Sequence, residues 1–189
     1  MPSIPISRRA LTVRLAAIPI GIAAAGRITA TDNQEGDTQT GEGLSNSSQA
    51  IHQEVTFGAT AERVYRALTT TKQFDEITRL SNAADLLASP GAKPTSISAE
   101  PGGLITLFGG YVTGRNLELL PNERLVQAWR AGGWPPGAYS IVRFALSVAG
   151  GGTKLVFDHR GFPDGQGASL AYGWRAHYWA PLAKFLSQK

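Results

Sequence analysis

Residues 102–140 alternate apolar and polar side chains between short clusters of glycine and proline. An alternation of period two that is bounded by turn residues is typical of antiparallel β-strands. The same pattern continues on both sides of this run, with turns predicted at residues 101–103, 121–122 and 150–152. Strands are therefore expected at residues 96–108, 111–120, 124–131, 139–148 and 153–160.

The segment before these strands has the pattern of one strand followed by two helices. In residues 51–57, Ile51, Val55 and Phe57 share one face, which predicts a strand with one buried side. Thr60 is a typical N-cap residue and precedes a predicted helix that runs to about residue 69. A second short helix is expected at residues 72–80. Residues 81–95, rich in Ala, Ser, Pro and Gly, predict a loop.

The last part of the chain predicts one long amphipathic helix at residues 169–187. Pro181 lies inside it and lacks a backbone donor, so a kink is expected there. An antiparallel sheet of about six strands can bury this helix by curling around it, which defines an α+β helix-grip fold. The apolar stripe of the helix consists of Leu170, Trp174, Tyr178, Leu182 and Phe185.

Strand alternation predicts which side chains point toward that helix. Charged residues mark the outer face of a strand, so residues at odd spacing from them face inward. In the strand at residues 153–160, Asp158 and Arg160 point outward, which turns His159 inward. By the same rule Gln127 and Trp129 point inward from the strand at residues 124–131.

The strand at residues 111–120 supplies the remaining inward candidates. An outward Glu118 places Tyr111, Thr113 and Arg115 on the inner face. A buried polar group without a partner costs about 1–3 kcal/mol, so these groups either meet a ligand or bond within the protein. For His159 and Arg115 individually, bonding within the protein or to water is favoured. The candidate ligand-binding residues are Tyr111, Arg115, Gln127, Trp129, His159, Trp174 and Tyr178.

Side chains with catalytic or metal-binding chemistry are few and scattered. The chain has no cysteine, which excludes disulfides and thiolate sites, and its three histidines lie on separate predicted elements. Asp158 and His159 are neighbours in one strand and point to opposite faces, so they cannot form a dyad. No catalytic residue, metal or cofactor is predicted, and a non-enzymatic function is favoured over an enzyme.

The sequence Trp-Pro-Pro-Gly at residues 134–137 predicts a stiff loop with a large aromatic residue at its tip. Such a residue can act as a lid over a pocket or as a partner contact. It can equally cover the end of the sheet as a purely structural element. The sequence favours neither role.

The formal net charge of +4 does not predict nucleic-acid binding. Residues 1–50 contain equal numbers of basic and acidic residues, so the excess lies in the remainder of the chain. There the Lys and Arg residues are scattered singly, whereas nucleic-acid binding needs them clustered. A nucleic-acid partner is therefore not expected.

The amino terminus has the pattern of an export signal. A Ser-Arg-Arg motif at residues 7–9 precedes an uncharged apolar run at residues 15–26, which resembles a twin-arginine signal peptide. The run is shorter than the roughly 20 residues that a membrane span needs. Cleavage is expected after Ala25 or Ala30, with export to the bacterial periplasm or the extracellular space. Secretory export of the unfolded chain and an uncleaved anchor, the one expected membrane contact, are the alternatives.

Residues 31–50 hold a single large apolar side chain, Leu44, among small and polar residues. Such a segment cannot bury enough surface to offset the entropy lost on ordering. The predicted organisation is a signal peptide at residues 1–30, a disordered linker at 31–50 and one folded domain at 51–189.

Short motifs in the strands and the last helix carry a family resemblance. They are Phe-Gly-Gly at 108–110, Thr-Gly at 113–114, Glu-Leu at 118–119, Gln-Ala-Trp-Arg at 127–130, Trp-Pro at 134–135, Gly-Trp at 173–174, Tyr-Trp at 178–179 and Pro-Leu at 181–182. These motifs resemble the C-terminal-type domain of the activators of the heat-shock protein 90 ATPase, in the START-like (SRPBCC) superfamily. The resemblance implies the helix-grip fold and, by its name, a chaperone-activating role.

Three functions follow as hypotheses. The first is non-enzymatic binding of a hydrophobic or aromatic small molecule, or a lipid, between the sheet and the last helix. The second is a cyclase or hydrolase of the kind found elsewhere in the superfamily, which would use His159 or Arg115. The third is activation of a chaperone ATPase, which is disfavoured because an exported protein would meet neither ATP nor a cytosolic chaperone.

Overall fold

The computed structural model describes residues 50–188. The predicted signal peptide at residues 1–30 and residues 31–49 of the predicted linker lie outside the described residues, and both stay predictions. Within residues 50–188, no helix is long and apolar enough to cross a bilayer.

The strands of the described chain form one antiparallel sheet. They are β1 (Ala50–Phe57), β2 (Ser96–Ile97), β3 (Leu104–Leu107), β4 (Val112–Leu120), β5 (Arg124–Ala131), β6 (Ser140–Ala149) and β7 (Gly152–Arg160). Their order across the sheet is β1-β7-β6-β5-β4-β3-β2. The first strand thus lies beside the last, with Ile51 opposite His159.

Short helices follow β1, and a long helix ends the described chain. The short ones are α1 (Ala61–Thr69), α2 (Thr71–Arg79) and α3 (Ala84–Ala88). The predicted cap of α1 is confirmed, because the Thr60 hydroxyl accepts a hydrogen bond of 3.2 Å from the backbone N–H of Arg63. The prediction of a continuous loop at residues 81–95 is wrong at α3. This helix has five residues and buries none of them, so it leaves no periodic apolar signal.

The C-terminal helix runs over residues 167–187 in three parts: α4 (Gly167–Gly173), a π-helical segment (Trp174–Trp179) and α5 (Ala180–Ser187). Pro181 has no N–H to donate to the preceding turn. The turn before it is widened, and the backbone N–H of Ala180 bonds to the carbonyl oxygen of Arg175, five residues back. The π-helical segment thus ends two residues before the proline, which lies in the first turn of α5.

The sheet wraps its inner face around the C-terminal helix, and this contact forms the core. Phe144 and Phe157 from the sheet are fully buried, as are Trp174 and Leu182 from the helix. The predicted helix-grip fold is confirmed. The inward orientation predicted for Gln127, Trp129 and His159 is also confirmed, because all three side chains are buried.

The sheet has seven strands rather than about six, because the predicted turn at residues 101–103 divides the segment 96–108 into two separate strands. The backbone N–H of Gly103 bonds to the carbonyl oxygen of Glu100 at 3.0 Å, which closes a turn between β2 and β3. A side chain at residue 103 would be 2.0 Å from the Ser98 hydroxyl, so this turn requires a glycine.

A β-bulge in β4 reverses the predicted orientation of its first half. Asn116 lies opposite Gln127 and Glu118 opposite Val126, so Leu117 is an extra residue with no partner. Before the bulge, Asn116 is buried and Arg115 is exposed. The inward orientation predicted for Arg115 is therefore wrong, because it was inferred from Glu118 across the bulge.

Candidate functional site

A cavity of about 300 Å³ lies between the C-terminal helix and the adjoining ends of β4 and β5. Its volume is at the lower end of the range for small-molecule sites. The sheet, the 134–137 loop and the helix all contribute to it. It is lined by Ala83, Phe108, Tyr111, Val112, Trp129, Ala131, Trp134, Gln166, Ser169, Leu170, Tyr172, Gly173, Trp174, His177 and Tyr178.

The cavity wall is built mainly from aromatic rings that hold one another in place. The ring centroids of Trp174 and Tyr178 lie 4.2 Å apart, and those of Trp129 and Trp174 lie 5.4 Å apart. Tyr178 packs edge-on against Phe74 and Phe108, at 5.5 and 5.3 Å. Such contacts fix ring positions beyond what area burial alone provides. The wall is therefore rigid and apolar.

The 134–137 loop covers one end of the cavity. Trp134 is only 7% exposed, and its ring meets the edge of Trp129 at 6.0 Å. The Arg130 guanidinium fixes the loop by donating to the carbonyl oxygens of Trp134 and Pro135, at 2.5 and 3.4 Å. The Trp134 side chain is thus packed against the domain, whereas residues 135–137 of the loop are exposed.

Two tyrosines flank the mouth of the cavity. Tyr111 is 50% exposed and Tyr172 is 62% exposed, although both line the cavity. They mark the side from which a molecule could enter.

Two buried nitrogen atoms at the cavity have no hydrogen-bond partner among residues 50–188. They are Nε1 of Trp129 and Nδ1 of His177. The Trp129 indole N–H lies beside the Tyr178 hydroxyl, although Nε1 is not aligned with it as a hydrogen bond. Burial dominates and raises the pKa of Tyr178 far above its usual value, so the phenol stays protonated.

His159 lies behind the cavity wall, and both its ring nitrogens are occupied. Trp174 Nε1 donates to His159 Nδ1 at 3.0 Å, and His159 Nε2 donates to the Ser140 hydroxyl at 2.7 Å. The acceptor role of Nδ1 requires the proton to be on Nε2 when the ring is neutral. Burial lowers the pKa of His159 from 6.5 to about 4, so the ring is neutral near pH 7.

Gln127 is also buried and bonded within the protein. Its amide nitrogen donates to Asn116 Oδ1 at 3.0 Å, and the Asn116 amide donates to the carbonyl oxygen of Ser98 at 2.7 Å. This chain of bonds ties β5 to β4 and to the segment after β2. Arg115 lies on the outer face, where its guanidinium donates to the carbonyl oxygen of Gly102 at 3.0 Å.

The structure brings together four of the seven candidate residues at the cavity: Tyr111, Trp129, Trp174 and Tyr178. Gln127 and His159 are buried but do not line it, and Arg115 is on the opposite face of the sheet. The sequence left the role of Trp134 open, and sequence reasoning missed the position of His177. His177 follows Trp174 by three residues, a helical spacing that places both on one side.

Asp158 does not approach His159. Its carboxylate accepts from His52 Nδ1 at 2.9 Å and from Arg143 at 3.4 Å, all on the outer face. The hydrogen bond from His52 is the main cause that lowers the pKa of Asp158. The prediction that Asp158 and His159 stay apart is confirmed. Among residues 50–188, no three His, Asp or Glu side chains are grouped as metal ligands.

The fold and the cavity define a helix-grip domain with an internal, aromatic-lined pocket. The chain belongs to the family described as Activator of Hsp90 ATPase homolog 1-like protein, whose model matches residues 58–187. This match includes every described helix and strand except β1.

Curated relatives carry the same family name. Activator of 90 kDa heat shock protein ATPase homolog 2 from Mus musculus is 25% identical over 137 residues, which are 72% of this chain and 38% of the mouse protein. Homolog 1 from Homo sapiens is 26% identical over 104 residues, which are 55% of this chain and 31% of the human protein. The chain thus spans well under half the length of these relatives.

Solved structures share the fold. An HSP90 activator from Plasmodium falciparum aligns with a TM-score of 0.59 at 22% identity, over 74% of this chain and 95% of the other. CalU16 from Micromonospora echinospora aligns with a TM-score of 0.55 at 23% identity, over 75% of this chain and 76% of the other. At these identities the likeness establishes the helix-grip architecture.

Proposed function

We propose that this domain binds a hydrophobic or aromatic small molecule in the cavity between the sheet and the C-terminal helix, without catalysing a reaction on it. The observation that carries this proposal is the cavity of about 300 Å³ that stays open inside a core of interlocked aromatic rings. An apolar molecule that enters it exchanges water contact for ring contacts, which stabilises the complex by about 25 cal/mol per Å² of apolar area buried. The lipid alternative fits the same cavity through an apolar chain.

The enzyme alternative has less support, because the two residues that it would use for catalysis do not face the cavity. His159 is bonded on both sides behind the wall, and Arg115 is on the outer face, so neither reaches a molecule in the cavity. Chaperone activation is a second candidate, favoured by family membership. It is tested by adding the domain to an Hsp90 ATPase assay, where stimulation of the ATPase rate is the result expected from that candidate.

The binding proposal is tested by filling the cavity. Ala131→Leu places a larger side chain at the end of β5 that lines it. The neutral probe N-phenyl-1-naphthylamine, whose fluorescence rises in apolar surroundings, is titrated into the wild type and the variant. Saturable binding to the wild type and a loss of at least about tenfold in affinity on filling are expected.

The matched control is Ala128→Leu, the same substitution on the same strand. Ala128 lies on the outer face, beside Leu104 and Tyr139, and should leave probe affinity unchanged. Equal binding by the wild type and Ala131→Leu would place the probe elsewhere and count against the proposal. Mass spectrometry of the intact protein from its own host then identifies any molecule that co-purifies.

A further inference from the structure

The buried indole N–H of Trp129 restricts what the cavity can hold. Trp129 is 5% exposed, and its Nε1 has no hydrogen-bond partner among residues 50–188. An indole N–H can only donate, so no rotation or change of tautomer turns it into an acceptor. A purely hydrocarbon occupant would keep this donor unpaired and dry. An occupant with a correctly placed acceptor atom would remove that cost.

The hydroxyl of Tyr178 is a second donor beside the first. The two groups approach each other without forming an aligned hydrogen bond, and both residues line the cavity. Because burial strongly favours the protonated phenol, Tyr178 keeps its O–H to donate over the physiological pH range. A carbonyl oxygen has two lone pairs and can accept from both groups at once.

The rest of the lining holds no permanently charged side chain and one imidazole, His177, whose buried Nδ1 has no partner among residues 50–188. None of its residues is an Asp, Glu, Lys or Arg. A charged group inside the cavity would lose hydration and meet no Asp, Glu, Lys or Arg, which is more costly than burying a neutral polar group. The lining therefore disfavours carboxylates, such as those of fatty acids, as well as phosphates and amines.

We infer that the cavity selects a neutral, ring-containing molecule with a carbonyl-type oxygen that accepts hydrogen bonds from Trp129 Nε1–H and Tyr178 O–H. This inference rests on the proposed binding function and adds the class of ligand. The aromatic wall contacts the rings of the molecule, and the two donors set its orientation. Hydrocarbons of the same shape bind more weakly because they leave the buried Trp129 N–H unpaired and offer the Tyr178 hydroxyl no acceptor.

The test uses three probes with one ring skeleton: α-tetralone, tetralin and tetralin-1-carboxylate. Dissociation constants are measured on the wild-type protein by quenching of tryptophan fluorescence. The ketone should bind about tenfold more tightly than the hydrocarbon, which corresponds to one to two neutral hydrogen bonds. The carboxylate should bind more weakly than either neutral probe.

Variants then test which side chains cause the preference for the ketone over the hydrocarbon. Trp129→Phe and Tyr178→Phe should each reduce the ratio of ketone to hydrocarbon affinity by about threefold or more. Trp134→Phe makes the same indole-to-phenyl change in the same wall and should keep the ratio, because the N–H of Trp134 is not among the buried unpaired donors. If Trp129→Phe does not fold, the indole ¹⁵N–H resonance of Trp129 in the wild type replaces it, and only the ketone should shift it as a hydrogen-bond acceptor does.

Each result distinguishes this inference from the proposed function. The inference of a hydrogen-bond acceptor is wrong if ketone and hydrocarbon bind with equal affinity. It is also wrong if the ratio of their affinities is unchanged in both Trp129→Phe and Tyr178→Phe. In either case the proposal of binding in the cavity still stands. A carboxylate that binds as tightly as the ketone overturns the requirement for a neutral ligand. Failure of all three probes to bind overturns the inference together with the binding proposal.

Discussion

Two neighbouring groups of buried polar side chains on the inner side of the domain differ in how they are satisfied. His159 lies between Ser140 and Trp174 and is bonded to both. Trp129 and Tyr178 lie at the cavity, and Trp129 Nε1 has no aligned hydrogen-bond partner among residues 50–188. The rings of Trp129 and His159 are in contact at 5.4 Å, so the two groups share one environment. Their contrast separates polar atoms that hold the fold from polar atoms that are left for a ligand.

This contrast has an energetic meaning. Removing one partner of a buried, bonded pair leaves the other group unpaired, which costs about 1–3 kcal/mol. Removing a group that has no partner loses no bond. Substitutions at His159 and Tyr178 should therefore have very different effects on stability, although both side chains are buried.

The largest effect is expected from His159→Ala. The substitution removes the imidazole to which both the Trp174 N–H and the Ser140 hydroxyl are bonded, and it opens a cavity in the core. The free energy of unfolding should therefore fall by about 3–5 kcal/mol. Urea unfolding followed by circular dichroism measures this change. His52→Ala is the matched control, because His52 is exposed on the outer face and its loss should cost less than about 1 kcal/mol. If His159→Ala lost no more stability than His52→Ala, the hydrogen bonds of His159 would not stabilise the fold.

Protonation of His159 should disrupt the same hydrogen-bonded group without a mutation. The pKa of His159 falls from 6.5 in the unfolded chain to about 4 in the fold. Above pH 6.5 the ring is neutral in both states, whereas between pH 6.5 and 4 only the unfolded chain binds the proton. Stability should therefore fall as the pH decreases, by about 2 kcal/mol between pH 7 and pH 5.

The measurement is urea unfolding at a series of pH values from 7 to 4. His159→Gln should remove most of this acid sensitivity, and His52→Gln should retain it. If the free energy of unfolding of His159→Gln fell with pH as steeply as that of the wild type, groups other than His159 would cause the acid sensitivity.

The structure also shows which parts of this contrast the sequence could predict. Alternation of side chains placed Gln127, Trp129 and His159 correctly, because β5 and β7 keep a regular register with their neighbours. The same rule failed at Arg115, because the bulge at Leu117 shifts the register within β4. A bulge depends on the cross-strand fit of both strands, here with Asn116 bonded to Gln127, and no single-strand pattern reports it.

The cavity itself was predictable only in outline. The aromatic stripe of the last helix correctly indicated Trp174 and Tyr178, because helical spacing survives in the described helix. Which polar atoms stay unpaired depends on distances of a few tenths of an ångström between rings, and sequence spacing carries no such information. The closing role of Trp134 depends on Arg130 holding its loop, a contact between side chain and backbone that composition does not predict.

The smallest effect, and the one that sharpens the contrast most, is expected from Tyr178→Phe. The variant keeps the ring and its edge contacts with Phe74 and Phe108, and it removes a hydroxyl that has no aligned partner. The free energy of unfolding should change by less than about 0.5 kcal/mol, measured beside His159→Ala under the same conditions. A loss above about 1.5 kcal/mol would mean that the hydroxyl already holds the fold together and is not reserved for a ligand. A near-neutral result would instead show that the folded chain does not need this hydroxyl for its stability, which leaves the hydroxyl available to a ligand at the cavity wall.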